Sequence, residues 1–486
     1  MYLAEERSKR GKSSIFENGK KGLRGSLLTI FFIFLLSISL IAGDFSLEEA
    51  VKTGLENNQE LVQKYQEIKN LEREVASLEA GLDWTWKLNS NYGYASERLV
   101  SGNLVSGDNL AFSLDGGKVT LKGLGINTRF SFADYEPFSF SEIGENYQFR
   151  LDLFKRLYPL IPTGAEKTLL QLDNRLNIAR SDLALTKSRK EIDWLSAYLN
   201  LLRLEKRIEF NQVRYELARE NLVSLEKQSG LGEAGKDQVL TAEMAVKEVE
   251  LQARQVENTF LQAWEALRLD MGIGGELLLS EDSRYLRKFL DKADQINIEI
   301  GREERERLLQ ENNLQLRQIM LNKEYAEKEL QWQQEEGKIK IDSSGNYNYD
   351  ASLPDPYKGY WELSLGLSYE FYDSGEQKLA LAGIESRIEN LEREYTNSLA
   401  RLMQELEGMY SQYELDKMGL EIKEISLERA RLQAGLSKSQ YENGLVTESR
   451  YREALLALEQ TELDYQEALD KVRFDKLRIA LYLGLY

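Results

Sequence analysis

The chain has 486 residues, with 81 acidic against 63 basic side chains, a formal charge of −18, and neither histidine nor cysteine. Those absences exclude an imidazole base, a thiol nucleophile, a disulfide and the usual structural zinc, so bond chemistry would fall to carboxylates, lysines or tyrosines. The acidic balance excludes nucleic acid as a natural partner, because neutralising phosphates takes clustered Lys and Arg.

Residues 1–25 carry Arg7, Lys9, Arg10, Lys12, Lys20, Lys21 and Arg24 against Glu5, Glu6 and Glu17. An apolar run from Leu27 to Ile41 follows, then Ala42-Gly43-Asp44. A basic start, a short apolar core and small residues at its end predict a signal peptide over residues 1–43. The run is short for a membrane helix, which needs roughly 20 residues; an uncleaved anchor is the alternative. Without residues 1–43 the chain keeps 56 basic and 78 acidic groups, a net of −22. No later stretch is apolar enough to span as a helix, so entry into a membrane would require strands.

The remainder repeats itself. Glu56-Asn57-Asn58-Gln59-Glu60-Leu61 recurs as Glu311-Asn312-Asn313-Leu314-Gln315-Leu316, and the same offset of 255 places Tyr92 on Tyr347 and Tyr94 on Tyr349. Beyond that, Gly164 matches Gly375 at an offset of 211, and Gly232 and Gly272 match Gly444 and Gly484 at 212. Copy one, 44–273, therefore carries 44 extra residues between Tyr94 and Gly164. Its predicted elements are a helix from 46 to 80, a strand zone 84–154, a long helix 165–230 and a helix 236–272. After a linker, 274–301, copy two (302–486) holds a helix 302–338, a strand zone 341–371, a long helix 376–441 and a helix 447–483. In the first helix Ile68, Leu71, Val75, Leu78 and Leu82 step by three and four, a coiled-coil-like seam. All five prolines (137, 159, 162, 354 and 356) fall between helices, as a cost of about 3 kcal/mol inside a helix requires. At 1.5 Å per residue the long helices are on the order of 100 Å, too long for a globular domain.

The strand zones alternate. In Tyr360–Phe371, Trp361, Leu363, Leu365, Leu367, Tyr369 and Phe371 share one face, with Glu362, Ser364, Gly366, Ser368 and Glu370 on the other. Ser343–Ala351 is the predicted partner across Pro354-Asp355-Pro356. In copy one Tyr147, Phe149, Leu151 and Leu153 alternate with polar residues, and Trp84–Tyr94 is the expected mate. The 44-residue excess also alternates, at 110–114, 119–121 and 126–132, and reads either as an extracellular hairpin or as further strands. Lipid-facing barrel strands and a soluble half-buried sheet alternate identically, so the strands alone leave the two readings equal. Export and the long helices favour the barrel. About four strands cannot close one, since the minimum is roughly eight, so several chains must contribute.

The order of these features, from FSLEEAVKTGLENNQEL through YPLIPTG and the long helix to the Leu-Gly-like end and a second copy, resembles the TolC-like outer-membrane efflux proteins. The resemblance covers nearly the whole chain after residue 43. It implies a mainly α fold with a β-barrel portion: a homotrimer in which each chain gives about four outer-membrane strands and long coiled-coil helices forming a periplasmic tunnel, with the linker in an equatorial belt. It implies no cofactor and no metal. As partners it implies outer-membrane lipid, a periplasmic adaptor protein and an inner-membrane pump, in a tripartite efflux or type I secretion system. The adaptor would meet the hairpin tips at Gly232, Gly235, Gly444, Leu445, Val446 and Thr447. An acidic pore ring is implied six and nine positions past the tip glycine; those positions hold Arg450 and Glu453 in copy two and Gln238 and Thr241 in copy one. Constriction candidates are therefore Asp237, Glu448, Arg450 and Glu453, against a reading of all four as solvated helix positions.

Rival chemistry is thin. Gly230-Leu231-Gly232-Glu233-Ala234-Gly235 matches G-x-G-x-x-G, but a dinucleotide site needs a preceding strand and this run lies between helices. Carboxylates on periodic helices are usually a solvated face paired with Lys or Arg. The Trp and Tyr clusters at 84–94 and 357–361 fit a membrane-interface girdle better than a sugar site. The expectation is a passive export channel and not an enzyme; the alternative is a non-conducting coiled-coil envelope tether held by an uncleaved N-terminal segment.

Overall fold

A computed structural model describes residues 45–98, 104–134, 147–275, 277–351 and 353–486. The expected signal peptide, 1–43, lies outside the described residues. The chain folds as two units: residues up to 62, 186–300 and 406–486 form one, and residues 63–185 and 301–405 the other.

In the first unit, helix α1 (Leu47–Asn57) opens on a capping box in which the Ser46 side chain accepts from the Glu49 N–H and the Glu49 carboxylate accepts from the Ser46 N–H. The stretch expected as one helix from 46 breaks at Asn58, where α2 (Gln59–Gly81) begins. The Asn58 side-chain oxygen accepts the Leu61 N–H at 3.2 Å and its amide donates to the Asp270 carbonyl at 2.7 Å. A short amide side chain that bonds backbone groups competes with the helix and caps the next one. The unit also holds most of α3 (Gly164–Gly230), all of α4 (Lys236–Met271) and α5 (Arg284–Gln295), the later part of α8 (Glu376–Glu442), and α9 (Glu448–Tyr482).

Its core centres on Trp194, Leu195, Tyr198 and Leu201 of α3, with Met271, Ile298, Leu406 and Leu477, all buried. The Trp194 indole donates to the Asp270 carboxylate at 2.7 Å, which also takes Lys190 at 2.9 Å. The Tyr198 hydroxyl donates to the Leu278 carbonyl at 3.0 Å and accepts the Ser280 N–H at 2.7 Å, fixing the segment after α4. The expected linker is thus partly helical: α5 docks through Phe289 on Phe474 and through Asp294, which takes two bonds from Arg473 at 2.9 and 2.7 Å.

The second unit holds α6 (Arg302–Asn312), α7 (Leu314–Glu336) and six strands: β1 (Thr85–Arg98), β2 (Leu104–Val119), β3 (Gly125–Asp134), β4 (Tyr147–Tyr158), β5 (Lys340–Asp350) and β6 (Gly359–Ser368). A second asparagine divides α6 from α7, the Asn313 side chain accepting the N–H groups of Gln315 and Leu316. The strands form one antiparallel sheet in the order β1-β2-β3-β4-β5-β6. The sheet has six strands among the described residues: four lie in the segments expected as strands and two come from the excess, for which the sequence leaves a hairpin and further strands both open. One expectation is corrected here. Strand β1 does not mate with β4: β2 and β3, made from the excess residues, pair into the sheet between them. Alternation marks each strand of the excess as amphipathic but does not say what it pairs with. The expected pairing of β5 with β6 is present, with Tyr347 opposite Trp361.

Gly54 of α1 faces the Trp194 ring so closely that a Cβ would lie 2.8 Å from Cη2. Because Trp194 is buried and tethered to Asp270, it cannot move aside. Gly54→Ala should therefore cost about 1–3 kcal/mol, read as a lowered midpoint in thermal unfolding of the purified protein.

Candidate channel-forming surfaces

The sheet register sorts side chains by chemistry. Opposite one another lie Leu88 and Leu114, Leu114 and Phe130, Phe130 and Phe149, Phe149 and Tyr349, and Tyr347 and Trp361. Because successive residues of a strand face opposite ways, this chain of pairs makes one apolar face across all six strands. On β6 it is bare: Trp361, Leu363, Leu365 and Leu367 are 70–74 % exposed. The opposite face is polar and internally bonded. Asn89 donates to Asp115 at 2.7 Å, Arg129 pairs with Asp115, Gln148 donates to Asp350 at 3.0 Å, and Asn346 donates to Glu362 at 3.3 Å. Among the described residues, strands β1 and β6 each pair on one side only, leaving both edges of the sheet open.

The turn candidates lie where helices stop. Gly232 and Gly444 take φ of +80° and +71°, which glycine adopts without a Cβ penalty. At each, two reverse bonds close the helix end: Glu233 N–H to the Gln228 carbonyl and Gly232 N–H to Ser229, then Leu445 N–H to Gln440 and Gly444 N–H to Tyr441. These are Schellman ends. Gly235 and Thr447 are the N-caps of α4 and α9. Leu445 is exposed and Val446 half-buried. Of the constriction candidates, Asp237 and Glu448 sit in the first turns of α4 and α9, and Glu448 pairs with Arg452 at 2.7 Å. Arg450 and Glu453 are exposed, with the Arg450 N–H capped by Thr447. Gln238 and Thr241 are spent locally, Gln238 accepting the Gly235 N–H and Thr241 donating to the Asp237 carbonyl. The structure thus gathers Glu448, Arg450 and Glu453 on one helix start and Asp237 on another.

Two features escaped the sequence reading. A run of charges joins α9 to α3 and α8: Arg203 to Asp470 at 3.0 Å, Arg207 to Glu467 at 2.7 Å, and Lys423 to Asp464 at 2.9 Å. Asp470 is buried, and a signal existed, since it occupies a seam position between Leu463 and Phe474 at spacings of seven and four. The second is an uncovered seam on α8, where Leu415, Met418, Ile422, Ile425, Leu432 and Leu436 are each at least 59 % exposed. Their steps of three, four and seven are those of a coiled-coil face. No described helix is long and apolar enough to cross a membrane.

With this geometry in place, the chain can be compared with known proteins. Residues 307–485 match the family model of the outer membrane efflux proteins. No curated protein matches the sequence. Solved structures of similar fold include CusC, at 12% identity and a TM-score of 0.61 over 91% of this chain and 93% of that one. The outer membrane protein VceC from Vibrio cholerae follows at 14% and 0.57, over 90% and 95%. A membrane protein from Pseudomonas aeruginosa shares 12% and 0.60, over 90% and 89%. At such identities the likeness is one of fold. The chain resembles the TolC-like outer-membrane efflux proteins at both levels, in the sequence of 307–485 and in a mostly helical fold with one antiparallel sheet.

Charge in the helical unit is pH-sensitive in two opposed ways. Burial disfavours ionisation of Asp270, but hydrogen bonds from Lys190 and Trp194 and the Lys190 charge outweigh it and hold the carboxyl below its usual range. Its stabilisation is present above the unfolded value and is lost as pH falls through the folded one. Asp475 is pushed up to about 6, by burial first and then by a hydrogen bond to the Asp416 carboxylate. A raised acid favours the folded state only while protonated, so its penalty is absent at low pH and complete above about 6. Asp475→Asn should therefore stabilise the protein by about 1–2 kcal/mol near pH 8. The gain should vanish towards pH 4, roughly the unfolded carboxyl value. Thermal midpoints across that range check it.

Proposed function

We propose that this protein is the outer-membrane channel of an export system, a passive conduit made by three copies of the chain. The observation that carries this reading is the sheet, apolar on one face, polar and hydrogen-bonded on the other, and open at both edges. A soluble domain would leave that apolar face in water. In lipid it is at home, provided every edge N–H and C=O finds a partner, and a further copy of the chain supplies one. The bare α8 seam supports the same assembly, since neighbouring helices would cover it. The match of 307–485 to the outer membrane efflux protein model supports the reading.

In this assembly the strands cross the outer membrane and the helices extend into the periplasm as a tunnel. Gly232, Gly235, Gly444, Leu445, Val446 and Thr447 form the tips that an adaptor protein meets, with an inner-membrane pump driving transport. Asp237, Glu448, Arg450 and Glu453 line a charged constriction there. The pore performs no bond-making chemistry.

The protein should fractionate with the outer membrane as a trimer and conduct ions in planar bilayers. A soluble monomer would overturn the channel reading, and an inner-membrane protein retaining residues 1–43 would support the tether. Arg450→Ala with Glu453→Ala should change conductance or ion selectivity. Unchanged single-channel values would remove both from the constriction.

A further inference from the structure

Resting on the reading of the sheet as barrel wall, we propose that the β2–β3 hairpin is a transmembrane insertion. Three copies would then close a barrel of 18 strands. The alternative is that the hairpin, built from the 44 residues that copy two lacks, projects as a loop from a ring of 12.

Four observations carry the insertion. The first is pairing. β2 matches β1 from Thr85 opposite Gly117 to Arg98 opposite Leu104, and β3 matches both β2 and β4, so β1 and β4 reach each other only through the hairpin. The second is length. β2 and β3 have 16 and 10 residues, and a tilted strand crosses the bilayer in about 9–11. The third is face. Phe112, Leu114, Phe130 and Phe132 continue the apolar surface of β1 and β4 without a step, while Ser113, Asp115, Arg129 and Ser131 continue the polar one. At Gly116 the apolar side is packed tightly enough that a Cβ would lie 2.5 Å from the Trp86 ring of β1 and 2.7 Å from Thr128 of β3.

The fourth is the turn. Thr120–Leu124 closes on a Thr120 N–H to Leu124 carbonyl bond of 2.8 Å and is anchored at the start of α3. There Thr163 donates to the Leu121 carbonyl at 3.0 Å and Lys122 pairs with Glu166 at 2.7 Å. The hairpin therefore returns at the helical end of the sheet, having run its full height. A loop projecting from the far end would have its turn there instead. Adding two strands also keeps the count even, so β1 of one copy still meets β6 of the next antiparallel.

The consequence is a wider passage. With strands about 4.8 Å apart and tilted about 40°, 12 strands give a backbone diameter of about 24 Å and 18 give about 36 Å. The cross-section at the membrane rises about two-fold by the same geometry.

Single cysteines test this cleanly because the chain has none of its own. Phe112→Cys and Phe130→Cys report the apolar face of the hairpin, and Ser113→Cys and Ser131→Cys the polar face. Leu365→Cys and Ser364→Cys serve as the reference pair on β6. The probe is a membrane-impermeant maleimide applied to the full-length protein in outer-membrane vesicles. In the wall, each apolar-face cysteine should react at least about tenfold more slowly than its polar neighbour, as on β6. If β6 alternates and all four hairpin positions react alike, the insertion is overturned while the channel reading stands. If β6 also fails to alternate, both fall. Electron microscopy of the unmodified trimer gives an independent count: 18 strands support the insertion and 12 overturn it.

Discussion

Open sheet edges are the constraint on which the rest depends. A strand edge is a row of backbone donors and acceptors, and lipid offers nothing to satisfy them. Among the described residues one chain provides six strands and leaves β1 and β6 each half-paired, so the apolar face cannot be placed in a membrane by one copy. In the proposed channel, assembly follows from backbone chemistry and needs no special recognition motif. A chain without cysteine cannot be held by disulfide cross-links, so in the proposed channel pairing between copies and helix packing carry the stability.

The helices obey a related economy at their ends. Gly232, Gly444, Gly272 and Gly484 all adopt positive φ, and each ends a helix with the same pair of reverse hydrogen bonds. Asn58 and Asn313 do the opposite job, opening α2 and α7 by capping their first N–H groups. These six positions were visible in the sequence as matched motifs at fixed offsets. What they do was visible only in part. Glycine after a helical run announces a stop, but asparagine within a helical run is ambiguous until its side chain is seen bonded to backbone.

Long periodic helices and strongly alternating strands were legible because their periodicity is a property of single elements. Strand partners were not. Trp84–Tyr94 and Tyr147–Leu153 each announce an amphipathic strand, yet nothing in either says that two more strands lie between them. Pairing is decided by which edge is free when the chain returns, a tertiary fact. The candidate constriction was legible in the same limited sense. Glu448, Arg450 and Glu453 follow a helix start, and the structure puts them on exposed positions there, but a pore is a property of several chains.

The buried charges sharpen the meaning of the acidic excess. Asp470 could have been leucine, which would fill the seam between Leu463 and Phe474 without any desolvation cost. A buried ion pair is often no more stabilising than apolar packing, whereas losing one partner costs about 3–5 kcal/mol. What the buried pair Arg203 with Asp470 and the partly exposed pair Arg207 with Glu467 do provide is register: each pair is satisfied at one axial alignment of α9 against α3. Long helices with uniform apolar seams can slip by a heptad at little cost, and a polar pair set into the seam penalises that slip. Specificity of alignment is therefore the better account of charge placed where packing alone would have sufficed.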